Sequence, residues 1–278
     1  MVQKIKNIIK PYYYAFERFR LVVRRRLGKL RYRLFPPKNK HSYTFAILVI
    51  KKTAYADMAI ANANSLHALN PTHRFVFYCD MMCANYLGTK KALFDYPNQV
   101  EIRDSYGVAT KAWQYYKIDV HIDAATNGFI DADADSIWHE DPLLDRTKIT
   151  MMAYSYDFKD QPREVTILNK LFPDHPEWLN YRHCVAAFLS MPPQFMNDKV
   201  AADMRHINDT LFSHALDFLS DEKERGEARR LSEEFAVNLS IQSNWPQDQL
   251  VVLKKNGGWG DKEIVQPLYY GCDNQIND

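Results

Sequence analysis

Cysteine is scarce in this chain of 278 residues: four, at 79, 83, 184 and 272, too scattered to read as a disulfide framework. Cys79-x-x-x-Cys83 has no second pair and no histidine couple at zinc spacing, so the reduced thiols of a cytosolic protein are expected. The nine histidines contain no His-Glu-x-x-His or comparable metal spacing. No apolar run approaches the roughly 20 residues that span a bilayer, and no stretch has the form of a cleavable signal peptide. A protein with neither span nor cleaved leader, working on the cytoplasmic side, is therefore the expectation. Internal repeats and low-complexity tracts are absent too. The length suits one large α/β domain or a domain with an appendage, and 46% hydrophobic with 25% charged residues leaves enough apolar material for a sizeable core.

Acid is almost missing from one segment. Residues 1–35 hold eleven Lys and Arg against the single acid Glu17, a net of +10, so the remainder, with 25 bases and 33 acids, carries −8. The overall +2 hides this split. In the same segment Ile5, Ile9, Tyr12, Phe16, Phe19, Val23, Leu27, Leu30 and Leu34 recur at spacings of three and four, one face of a helix. Pro11 suits the start of a helix running from about residue 12, and Pro36-Pro37 ends it. The reading favoured is an arm that lies on an anionic membrane surface. A helix packed on the body with its basic face in water is the bland alternative, and nucleic-acid binding, which is not expected, the third. Residues 1–40 are thus read as arm and linker, and 41–278 as one domain.

Within that domain strands and helices alternate. Residues 43–50 (YTFAILVI), 74–78, 99–103 and the approach to 131 read as buried strands; 55–69, 81–94 and 109–122 read as helices. This order predicts a mostly parallel sheet with helices on both faces, and ligands on such sheets bind beyond the carboxyl ends of the strands. Further on, 149–154 and 184–189 read as strands, and 194–219 and 231–242 as helices. A charged connection is expected at 221–230, and closing strands at 251–253 and 264–270 around the loop KNGGWGDK.

The stretch 129–142, FIDADADSIWHEDP, is the chemically loaded one. Asp131, Asp133 and Asp135 stand at alternate positions behind the apolar Phe129-Ile130, and alternation in an extended chain turns them to one side. Carboxylates so placed repel unless a cation or donors neutralise them, and hard divalent ions take such oxygen ligands. An acidic strand end facing water is the structural alternative.

The motif resembles the Asp-x-Asp region of GT-A glycosyltransferases, the glycogenin-like group with its bacterial lipopolysaccharide and capsule relatives above all. Asp133-Ala134-Asp135-Ser136-Ile137 with Asp141-Pro142 behind it fits their register. The resemblance implies an α/β, Rossmann-like GT-A domain that transfers a sugar from a nucleotide diphosphate donor, a UDP-sugar first, to a saccharide or glycolipid acceptor. It implies that Asp133 and Asp135 hold Mn²⁺ or Mg²⁺ against the donor diphosphate; it gives Asp131 no role. After the first strand, Ile50-Lys51-Lys52-Thr53-Ala54-Tyr55 matches the family's nucleoside-binding turn. The implied roles are stacking for Tyr55, as against plain packing at a helix start, and backbone contacts to base and ribose from 49–53, Ile50, Lys51 and Thr53 included. Lys117, sixteen residues before Asp133, holds the place of the family's diphosphate-directed cation, with Lys111 a weaker candidate. Ser232-Glu233-Glu234 opens a helix where the family sets an acidic pair beside the transferred sugar, with Asn238 at the matching distance. Either Glu233 or Glu234 is a candidate catalytic carboxylate; capping the helix is the bland alternative. The chain departs from the family at Cys184-Val185-Ala186, where Asn-x-Gly or Ser-Gly is usual, and at Gln266, which stands where a metal-ligating His is common.

Two rivals remain at the level of sequence. A haloacid-dehalogenase-type phosphatase would use Asp131 and Asp133 as its Asp-x-Asp. A non-catalytic protein would act through the basic arm.

Overall fold

The computed structural model describes residues 41–138, 141–142, 144–254 and 265–267; the expected basic helix and most of the KNGGWGDK loop lie outside these. The chain alternates as the sequence predicts. Strand β1 (Thr44–Val49) leads to helix α1 (Thr53–Leu69), β2 (Arg74–Cys79) to α2 (Met81–Thr89), and β3 (Val100–Asp104) to α3 (Trp113–Thr126). Then come β4 (Ile130–Ala132), β5 (Ser136–Trp138), β6 (Ile149–Asp157), α4 (Pro162–Leu171), β7 (Arg182–Ser190) and α5 (Asp198–Asp209). Helices α6 (Glu222–Arg230) and α7 (Ser232–Asn244) and strands β8 (Leu250–Lys254) and β9 (Val265–Pro267) complete it.

Seven strands form the central sheet in the order β3-β2-β1-β4-β7-β6-β8. All pairings are parallel except the two made by β7, so a single strand opposes the rest. The protein is thus an α/β fold with a mostly parallel central sheet. Period-two alternation on β1 explains the layering. Phe45, Ile47 and Val49 pack with α1 and α2 on one face, while Ala46 meets Val120 and Ala124 of α3 on the other. A second core joins β6 and β7 to α4, α5 and α7.

Several boundaries differ from expectation. The helix expected over 81–94 stops at Thr89 and passes into single 3₁₀ turns. The stretch 194–219, expected to be largely helical, is so from residue 198: α5 starts only after Asn197, whose side chain accepts from the Val200 N–H, and the helix runs on through a π turn over Thr210–His214 into a last turn, Ala215–Phe218. The charged connection at 221–230 is helical, because Asp221 accepts from the Lys223 and Glu224 N–H groups at its start and Arg229 and Arg230 oppose the dipole at its end. The two closing strands belong to different sheets: β8 lies parallel beside β6, and β9 pairs antiparallel with β5.

Candidate functional site

The carboxyl ends of β1, β2, β3 and β4 share one edge, since β1 pairs in parallel with both β2 and β4 and β2 with β3. Two of these ends are stitched together where the chain leaves them. The Lys51 N–H donates to Asp80 Oδ2 at 2.6 Å, while Asp80 Oδ1 accepts from the Cys83 N–H at 2.8 Å and so starts α2. Lys51 is held at φ +67°, with the Lys52 N–H returning to the Ile50 carbonyl at 2.8 Å. A non-glycine residue in the left-handed region is strained, and such strain concentrates at binding sites. Beside this turn Ile50 is buried, Lys51 is exposed, Thr53 begins α1, and Tyr55, half-buried, leans on the core in its first turn. Backbone groups of the turn therefore sit at the sheet edge.

One strand along, β4 delivers the aspartates. Its pairing with Ala46 and Leu189 fixes Asp131 between two strands, and the Asp133 N–H continues that ladder to the Ala187 carbonyl at 3.0 Å. The buried Asn62 of α1 donates to the Asp133 carbonyl at 2.7 Å, and Ala134-Asp135 then turn the chain into β5. Helix α3 crosses this end and lays Lys117 and His121, one helical turn apart, over it. Lys117 Nζ lies 2.7 Å from Asp131 Oδ2 and 2.9 Å from Asp133 Oδ1. His121 Nδ1 lies 3.0 Å from the same Asp131 oxygen, and its Nε2 meets Glu233 Oε1 at 2.5 Å. The result is an unbroken row, Glu233–His121–Asp131–Lys117–Asp133, buried except at Asp133, whose side chain keeps 38% of its exposure.

Charge follows from this packing. Burial disfavours the Lys117 cation, yet Asp131, Asp133 and Glu233 together hold its pKa above the ordinary value. Burial likewise opposes the His121 imidazolium, but Asp131 and Glu233 raise it to about 9. Burial would raise the Asp131 pKa; Lys117 and His121 outweigh that and lower it. Asp135 goes up to about 6, because it is desolvated and beside the Asp133 charge. Glu233 is also raised, by burial first, with His121 and Lys117 opposing.

Glu234 points the other way from its neighbour. It accepts from His183 Nε2 at 2.6 Å, and His183 Nδ1 lies 3.0 Å from Glu164 Oε2. The start of α7 carries no side-chain cap, so neither glutamate serves as one. Asn238 turns its amide to β7: it accepts from the Cys184 N–H at 2.8 Å and donates to the Cys184 carbonyl at 2.6 Å. It ties α7 to the strand in which the usual Asn-x-Gly is replaced. Gln266 lies in β9, paired with Ile137 just beyond the aspartates. Lys111 is exposed in the β3–α3 connection.

The structure therefore gathers Lys117, Asp133 and Glu233 into one row with Asp135 beside it, and sets the turn at 50–55 on the same edge. Glu234 belongs to a separate buried cluster. One member of the row, His121, four residues after Lys117, went unread in the sequence, and Asp131, read as one of three aspartates on one side, had no role from the resemblance. The i,i+4 spacing was the available signal. Asp131 is 1% exposed with one oxygen shared by two cations, which leaves no approach for an incoming phosphorus and removes it as a phosphatase nucleophile.

The donor set fits a hard divalent cation. Among the described residues the four carboxylates Asp131, Asp133, Asp135 and Glu233 face the two cations Lys117 and His121, an acidic excess. Among the described residues no three His, Cys, Asp or Glu side chains converge as a complete metal cage, so water and donor oxygens would complete such a shell. The two marked concavities, about 390 Å³ beside Tyr115 and Arg205 and about 350 Å³ beside Trp178 and Asp203, are built from α3, α5, α7 and the 3₁₀ turn Pro176–Asn180, and neither is lined by the aspartates.

No family model matches the chain, and no curated protein does. Among solved structures its backbone is similar to the galactosyltransferase LgtC, solved with donor and acceptor sugar analogues: TM-score 0.44, 10% identity, 76% of this chain and 72% of that one. It is similar also to the PaToxG glycosyltransferase, with TM-score 0.43, 10% identity, 82% of this chain and 81% of that one. At 10% identity no residue role carries across, and the reading of the site rests on its own geometry.

Proposed function

We propose that this protein is a metal-dependent glycosyltransferase of the GT-A type, taking a sugar from a nucleoside diphosphate donor, UDP first, to a saccharide or glycolipid hydroxyl. The observation that carries the reading is the row at the carboxyl edge, which with Asp135 sets four carboxylates against Lys117 and His121 at the mouth of β4. Asp133 and Asp135 would hold Mn²⁺ or Mg²⁺, with Gln266 a candidate third ligand. A bound ion of this kind neutralises diphosphate oxygens as the nucleotide departs. Lys117, held between Asp131 and Asp133 behind the exposed edge, would add a second positive centre near the same oxygens. The strained turn at Lys51, with Ile50, Thr53 and Tyr55, offers backbone groups and an aromatic ring for the nucleoside. Glu233, or Glu234, is the carboxylate assigned to the reacting sugar or to the acceptor proton.

The basic arm, residues 1–35, is assigned to an anionic membrane surface at the cytoplasmic face, where a lipid-linked acceptor would be met. The test is a thermal-shift series of nucleotides with Mn²⁺ on the full chain. Ligand at a hundredfold excess over Kd stabilises by about 2.7 kcal/mol. A response confined to one nucleoside diphosphate supports the reading and names the donor base. No response to any nucleotide, with or without the cation, sinks it.

A further inference from the structure

We propose that His121, anchored by Asp131, is the positioning residue that fixes Glu233 relative to the metal-binding aspartates; this rests on the glycosyltransferase reading above. Three elements converge on one imidazole. Asp131 is immobile, because β4 holds its backbone between Ala46 of β1 and Leu189 of β7. Its Oδ2 takes both Lys117 and His121, so the two cations of α3 are referenced to one oxygen atom. The ring of His121 then spans from that oxygen to Glu233 Oε1, with an ion-pair contact of 3.0 Å on Nδ1 and a hydrogen bond of 2.5 Å on Nε2. A rigid five-membered ring transmits position as a flexible chain does not. The first turn of α7 is thereby set against β4, and Glu233 against Asp133, through fixed lengths.

A purely structural role for such a row is the poorer account. Buried ion networks seldom stabilise a fold more than apolar side chains of equal volume would, and this one leaves Asp131 Oδ1 and His121 Nδ1 buried without a hydrogen-bond partner, so the two residues are joined by charge alone. The row also runs to the sheet edge, ending at the partly exposed Asp133, instead of closing on itself within the core. Asp131, which the motif leaves idle, thereby acquires a role: it holds both cations in place without touching donor.

The test is a double-substitution cycle on the full chain, with Mn²⁺ and UDP-glucose or UDP-galactose, reading donor hydrolysis and UDP affinity separately. His121→Gln is expected to lower kcat at least tenfold, about 1.4 kcal/mol in the barrier, while UDP affinity stays within twofold. In the Glu233→Gln background the same change should cost almost nothing further, because residues that act through one another are not additive. Multiplying losses would mean that His121 does not act through Glu233, and an unchanged kcat would mean that it does not act at all; either overturns the proposal. If His121→Gln fails to fold, ¹⁵N spectra of the wild-type imidazole decide. Glu233→Gln must then move the His121 Nε2 signal, and an unmoved signal refutes the bridge. A wild-type protein that binds no nucleotide brings down the enzyme reading and this proposal together. Nucleotide turnover with an additive cycle brings down this proposal alone.

Discussion

Asp135 is the residue at which metal and structure can be told apart. Its carboxyl is pushed up to about 6 by burial and by the neighbouring Asp133 charge, a situation that a divalent cation relieves. Asp135→Asn keeps the shape and removes both the charge and the repulsion. The expected outcome is loss of Mn²⁺-dependent UDP binding, at least tenfold by calorimetry, with a melting temperature equal to or above that of the parent. Unchanged affinity would move the metal elsewhere. At this scale the sequence singled out Lys117 and Asp133 by type and spacing, and the structure brings the two side chains into contact. It did not show that Asp131 and His121 meet. Their meaning depends on α3 crossing β4, a tertiary fact that no local pattern encodes.

Among the elements, α7 shows how one helix serves two ends. Its first turn sends Glu233 to His121 and Glu234 to His183, and its second turn sends Asn238 to the backbone of Cys184. The bland reading of these glutamates as helix caps followed from their place in the first helical turn, whereas both side chains turn inward to histidines. Helix α6 was misread for the opposite reason: a run of charges looks like a connection until its Asp221 cap and its dipole-matched ends are weighed together. The strands fared better, since buried β-branched and aromatic runs in an α/β order leave few alternatives to a parallel sheet. For Asn238 the expectation is structural. Asn238→Ala strands the Cys184 N–H and carbonyl in the core, at about 1–3 kcal/mol for each unmet group. Chemical denaturation should register a loss of about 2–6 kcal/mol, with residual donor affinity in whatever fraction stays folded. A loss under half a kilocalorie would show that α7 is held to β7 by its apolar contacts.

For the molecule as a whole, two buried imidazoles set the pH response. His121 and His183 are both raised to about 9 against an unfolded value of about 6.5, since their carboxylate partners outweigh the cost of burial. Folding therefore takes up protons between those values. The stabilisation is complete below pH 6.5 and lost as pH rises through about 9. The melting temperature should fall between pH 6.5 and 9.5, and His183→Gln should flatten that fall while lowering the starting point. A profile flat over this interval would mean that the histidines are neutral in the fold.

Charge at the largest scale divides the chain itself. Residues 1–35 carry +10 and the remainder −8, a separation that orients as well as attracts. Each Lys or Arg near an anionic bilayer contributes about 1 kcal/mol, so even half of the eleven would hold the protein there at low salt. The acidic body is repelled by the same surface and would stand off it. The attraction is screened as the Debye length shortens from about 10 Å at 0.1 M salt to about 3 Å at 1 M. Full-length protein should sediment with anionic vesicles at low salt, release as salt rises, and ignore neutral vesicles. Deleting 1–35 should abolish sedimentation and leave UDP binding intact. Should the shortened protein still sediment, the body carries the membrane contact instead. Should it precipitate, the apolar stripe of the arm packs on the body and the membrane assignment falls.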